Sequence, residues 1–117
     1  MPEEAGQLVA AIKAYVAALG RHGAPAEAVY LFGSRARGDA RPDSDIDLII
    51  VSSAFTGMPP WKRWEVLGDA LSEVLQPIEA LAYSPEEFAA KKNRRASFLG
   101  HLLSQPEVVA FQPEGEG

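Results

Sequence analysis

Few folds tolerate two aspartates at the head of an apolar run, yet this chain carries Asp45-Ile46-Asp47-Leu48-Ile49-Ile50-Val51. The β-branched residues of that run read as a buried strand. Aspartate is a poor strand former, and two of them placed there without a ligand would be costly. Side chains alternate along a strand, so Asp45 and Asp47 project from the same side. At the open end of a sheet, two such carboxylates can share one or two magnesium ions. Magnesium takes hard oxygen ligands and keeps waters and substrate phosphates in its shell, so few protein ligands suffice.

The segment just upstream supplies the other half of a site. Val29-Tyr30-Leu31-Phe32 reads as a short buried strand ending at Gly33, and Ser34-Arg35-Ala36-Arg37-Gly38 follows. Glycine lets backbone approach a ligand closely, and a helix beginning at Ser34 would aim N–H groups at an anion. The Ser34 hydroxyl adds a donor, and Arg35 or Arg37 adds positive charge. Phosphate contacts on one side and metal ligands on the other suit a nucleoside triphosphate. Two other motifs fail. Gly33 and Gly38 have P-loop spacing, but Asp39-Ala40 stand where lysine and a hydroxyl residue belong. Asp43, Asp45 and Asp47 mimic the start of a calcium loop, but Leu48 replaces its glycine and Ala54 its closing glutamate. The plain alternative is a loop whose acids cap turns and face water.

The remaining elements follow from periodicity and punctuation. Leu8, Ile12, Tyr15, Val16 and Leu19 predict an amphipathic helix over 5–21, with Gly20 and Gly23 as stop signals. Trp61, Trp64, Leu67, Leu71 and Val74 predict a second helix that buries both tryptophans and ends at Pro77. Ile78 to Tyr83 predicts a third strand, and Ser84-Pro85-Glu86-Glu87 starts another helix with a cap, a proline and first-turn acids. Phe98, Leu99, Leu102 and Leu103 predict a short helix, and Val108 to Phe111 a last strand. The order α-β-β-α-β-α-α-β predicts an α/β (α+β) domain, a mixed sheet flanked by helices. Residues 1–112 read as one domain and 113–117 as a disordered tail.

Composition sets outer limits. The chain has 117 residues, 47% hydrophobic and 23% charged, the profile of a globular domain. A net charge of −5 argues against dedicated nucleic-acid binding. Without cysteine there is neither a disulfide nor a thiolate metal site. No apolar run approaches the roughly 20 residues of a membrane span, and the acidic start is no targeting signal, so a cytoplasmic location is the expectation. His22 and His101 have no nucleophile motif to join and read as surface or helix-end residues. The basic run Lys91, Lys92, Arg94, Arg95 reads as a solvated face.

Gly33-Ser34, ten intervening residues and Asp45-x-Asp47 resemble the signature of the DNA-polymerase-β-type nucleotidyltransferase superfamily. Phe32-Gly-Ser-Arg-Ala-Arg-Gly38 with Ser44-Asp45-Ile-Asp47-Leu48 is similar to its small prokaryotic branch, the minimal nucleotidyltransferases. The flanking order of elements from about Leu8 to Tyr83 fits that core too. The resemblance implies a two-metal transfer of a nucleoside monophosphate, AMP from ATP being the first choice, to a hydroxyl. Asp45 and Asp47 would hold magnesium, while Gly33 and Ser34, with Arg35, Arg37 and Ser44, would hold the nucleotide. The family most often places a third aspartate on a later strand, where it ligates metal and helps deprotonate the hydroxyl. Here the acid on that strand is Glu79, one methylene longer, on the face opposite Ile78, Ala80 and Ala82. It reads either as the third carboxylate or as an edge charge that discourages aggregation. Minimal nucleotidyltransferases are commonly paired with HEPN-type helical proteins as antitoxin and toxin, and transfer AMP to a partner tyrosine. The resemblance therefore implies a HEPN-type partner, or a second subunit that helps form the site. A non-catalytic nucleotide-binding or partner-neutralising module is the alternative, and an enzyme of small molecules such as aminoglycosides is a third.

Overall fold

The computed structural model describes residues 2–38, 45–94 and 97–111. Asp39, Ala40, Asp43, Ser44, Arg95 and the 113–117 tail, all singled out by sequence, lie outside the described residues. The chain runs α1 (Pro2–Arg21), β1 (Ala28–Phe32), α2 (Ser34–Arg37), β2 (Ile46–Val51), α3 (Pro60–Val74), β3 (Ile78–Tyr83), α4 (Pro85–Lys92), α5 (Phe98–Leu103) and β4 (Val109–Phe111). Every expected helix and strand is present. The four-residue α2 is the helical turn anticipated at Ser34.

The four strands form one mixed sheet in the order β3-β2-β1-β4. β1 is antiparallel to both β2 and β4, and β2 is parallel to β3. The parallel pair needs a crossover, and α3 provides it. β2 has a strand on either side and is buried along its length except at Asp47. That explains why its sequence is a nearly unbroken apolar run rather than an alternating one.

Strand alternation divides the core into two layers. Val29, Leu31, Ile46, Leu48, Ile50 and Ile78 face α1 and α3. Ile49 and Val51 face Phe88 of α4 and Leu99 of α5, with Tyr30 and Tyr83 alongside. The Tyr30 and Phe88 rings stack at 5.3 Å. On the first layer the Tyr15 hydroxyl donates to the Leu67 carbonyl at 3.3 Å, joining α1 to α3. Arg21 and His22 meet Glu73 at the far end of the same helix pair. Among the described residues no helix is long and apolar enough to cross a membrane.

One expectation about packing is corrected. Trp61 and Trp64 are 65% and 71% exposed and do not lie in the core. α3 instead buries Val66, Leu67 and Ala70. The side of the helix between them and the edge of β3 is taken by Arg63, whose guanidinium donates to the carbonyls of Phe55, Met58 and Ala82 and to both Glu87 oxygens. Trp64 follows one residue later, about 100° around the helix, and that rotation turns it to the surface.

Candidate active site

The site is built where β1 ends and β2 begins. β1 and β2 run antiparallel, so Phe32 pairs with Asp47 and the chain leaves β1 beside that carboxylate. The next residue, Gly33, adopts φ +78°, a conformation open essentially to glycine alone. It is also the wall against which Asp47 rests, since a Cβ at position 33 would collide with the Asp47 carboxylate. Ser34 then begins α2, which Gly38 closes in the left-handed conformation. The Ser34 N–H, at the start of that turn, has no intrahelical carbonyl to reach.

Asp45 immediately precedes β2 and is exposed, whereas Asp47 is half-buried within the strand. On β3, Glu79 is the register partner of Asp47 and is exposed. In neighbouring strands register partners share a face. Asp45, Asp47 and Glu79 thus occupy the face covered further along by α4 and α5, as the sequence alternation requires. Asp47 is the electrostatic centre. Desolvation pushes its carboxyl above the ordinary carboxylate range, and the negative charges of Glu79 and then Asp45 push it the same way. Arg37 pulls in the opposite direction. Three acids and one guanidinium from three segments therefore act on one another at this end of the sheet.

This donor set suits a divalent ion in part. Asp45 and Asp47 are hard oxygen donors on one side of the chain next to a glycine turn, a fit for magnesium that retains waters and phosphate oxygens. Among the described residues no three His, Asp or Glu side chains converge closely enough to hold an ion between them. Asp45 with Asp47 is accordingly the pair that fits, and Glu79 stands beside it. Arg35 and Ser34 lie half-buried in the α2 turn, with Arg37 exposed at its end.

Sequence reasoning did not anticipate the cleft that continues from this turn. Phe32, Gly33 and Arg37 form one side of a cleft of about 370 Å³, and Phe98, His101 and Leu102 of α5 form the other. His101, read from sequence as a helix-end residue, thus lies across from the glycine turn. No local signal could have shown this, because it depends on α5 folding back over the sheet. His22 remains at the surface, paired with Glu73.

Residues 12–103 match the sequence family described as Nucleotidyltransferase domain. No curated protein matches the chain. Among solved structures, the fold is similar to that of a candidate nucleotidyltransferase from Sulfolobus solfataricus. The TM-score is 0.60, with 25% identity over 75% of this chain and 77% of the other. A toxin-antitoxin structure with AMP-PNP shares 23% identity over 60% of this chain and 56% of its own, at a TM-score of 0.44, too loose a likeness to carry function across. With most of its length inside the matched family and a glycine turn abutting paired aspartates, the chain belongs to the nucleotidyltransferase domain family.

Proposed function

We propose that this protein is a magnesium-dependent adenylyltransferase that moves AMP from ATP to a hydroxyl of a partner protein in the cytoplasm. The observation that supports this reading best is the packing of the Asp47 carboxylate against Gly33, with the charges of Asp45, Glu79 and Arg37 around it. Phosphate-type and metal-type groups then serve a single ligand. In this reading Gly33 and Ser34 bind the β- and γ-phosphates, and Arg35, Arg37 and Ser44 add to nucleotide binding. Asp45 and Asp47 would hold magnesium, which when bound would supply positive charge that stabilises both the attacking and the leaving oxygen. The acceptor oxygen forms a bond to the α-phosphorus as the bond to the bridging oxygen breaks. Pyrophosphate leaves with that electron pair, and Glu79, in register with Asp47, receives the hydroxyl proton.

The partner assignment follows from the resemblance to minimal nucleotidyltransferases, in which a HEPN-type helical protein is the acceptor and toxin; self-association of this chain is compatible with it. The absence of three converging carboxylates among the described residues favours a second reading, a module that binds nucleotide or neutralises its partner without transfer. The test is incubation with magnesium, ATP labelled at the α-phosphate and a helical protein encoded beside this chain. The transfer reading expects label on that protein, reduced about 100-fold or more by Asp47→Asn. Magnesium-dependent ATP binding without label would support the second reading instead.

A further inference from the structure

β3 is an edge strand, with β2 on one side and a cleft of about 480 Å³ along the other. The cleft is floored by the consecutive residues Ala80, Leu81, Ala82 and Tyr83, and walled by Trp64 of α3 and Lys91 of α4. The Ile46 and Ser52 N–H groups donate to the carbonyls of Pro77 and Tyr83. Main-chain groups alternate in direction along a strand. The N–H and C=O of Ala80, and the N–H of Ala82, therefore point away from β2 and into the cleft. Natural edges are usually blunted by a bulge, a proline or an inward charge, and Ala80 to Tyr83 contain no proline or charged residue.

The geometry points to this edge as the docking site for an extended, acidic segment of the acceptor protein, added to the sheet as a fifth strand. The inference rests on the reading that the acceptor is a protein hydroxyl. Two observations select the occupant. First, a strand paired with β3 places one residue directly opposite Glu79, with Cβ atoms about 5 Å apart on the same face, and Glu79 is itself in register with Asp47. Docking thus delivers a hydroxyl side chain to the carboxylates, while its neighbours in sequence turn to the other face, toward Trp64. Second, the α4 wall of the cleft, at its Tyr83 end and away from the three acids, carries positive charge. Glu87 is committed to Arg63, Lys91 extends over the Tyr83 ring at 5.8 Å, and Lys92 and Arg94 follow, exposed. Lys91, Lys92 and Arg94, the described part of the basic run that reads from sequence as a solvated face, become a complement for acidic side chains.

The test uses a peptide of about nine residues, alternating valine with acidic residues around a central tyrosine, enough to span β3. Its binding to the full chain is followed by tryptophan fluorescence, to which Trp64 at the cleft wall contributes. The expected result is saturable, salt-sensitive binding. Ala80→Pro, which removes an outward N–H and leaves the β2 ladder intact, weakens it about tenfold or more. Lys91→Glu, a surface change that does not threaten folding, weakens it several-fold. Folded wild type that fails to bind, or binding that neither substitution alters, overturns the proposal. So does a wild-type dimer that Ala80→Pro converts to monomer, since the edge would then pair with a second copy. Adding magnesium and labelled ATP separates the two readings. A bound peptide that stays unlabelled counts against transfer and leaves docking standing. Equal labelling by wild type and Ala80→Pro removes docking and leaves transfer standing.

Discussion

Because a Cβ at position 33 would enter the space of the Asp47 carboxylate, and because the backbone there sits at φ +78°, alanine at this position meets two penalties at once. Gly33→Ala is expected to cost about 1–3 kcal/mol, lowering the melting temperature by about 4 °C or more, and to displace Asp47 enough to depress nucleotide binding. Calorimetry and an ATP titration of the variant check both parts. From sequence, Gly33 reads as a residue that lets backbone approach a ligand; the structure shows that it also admits a side chain from the next strand. Such an approach is tertiary, and the one-dimensional pattern holds no trace of it. Glu87 is a second residue whose weight is legible only in three dimensions. Arg63 holds its carboxyl down to about 2, from an ordinary 4.5. A carboxyl depressed in the folded state stabilises the fold above its unfolded pKa and loses that contribution as pH falls through the folded one. Wild type should therefore lose stability between about pH 4.5 and 2, and Glu87→Gln should flatten that slope while lowering stability at pH 7. Urea unfolding at pH 7 and at pH 3 measures the difference. Equal slopes in the two proteins would remove the pair from the account.

Elements were read from sequence wherever a local device defines them. Ser84 accepts from the Glu87 N–H while the Glu87 side chain accepts from the Ser84 N–H, completing the capping box of α4. Ser84→Ala should cost about 1 kcal/mol in chemical denaturation. The end of α3 follows a different rule, since Pro77 marks the stop but Leu75 makes the turn, at φ +60° and 83% exposed. A bulky residue in that region is strained and here packs against little. Leu75→Gly is expected to stabilise by about 0.5–1 kcal/mol, and a drop in stability would show that the leucine has a packing role. The tryptophans show where periodicity misleads. Trp61, Trp64, Leu67 and Leu71 satisfy helical spacing, yet the buried stripe is centred on Val66, Leu67 and Ala70. One helix can offer two overlapping stripes, and the surface it meets chooses between them. Here the carbonyls of Phe55, Met58 and Ala82 take Arg63 instead.

At the scale of the whole molecule, sheet order places the site, and order is not written in any local segment. β2 lies between β1 and β3, so Asp47 has the glycine turn on one side and Glu79 on the other. Strand alternation already put Asp45 and Asp47 on one side and separated Glu79 from Ile78, Ala80 and Ala82. It could not show that the two strands are neighbours, that their acids share register, or that β3 is left as an open edge. α1 and α3 back one face, and α4 and α5 cover the far part of the other, so the acids stay at the uncovered end. The proposed function makes a direct demand of this arrangement: ATP binding should depend on a divalent ion held by Asp45 and Asp47. The measurement is an ATP titration of the intact protein by calorimetry, with magnesium and with chelator, in wild type and Asp45→Asn/Asp47→Asn. The account predicts binding with magnesium that weakens about tenfold or more when the ion is withdrawn or both aspartates are changed. Binding that is indifferent to magnesium and to both aspartates, or no ATP binding at all, would contradict it.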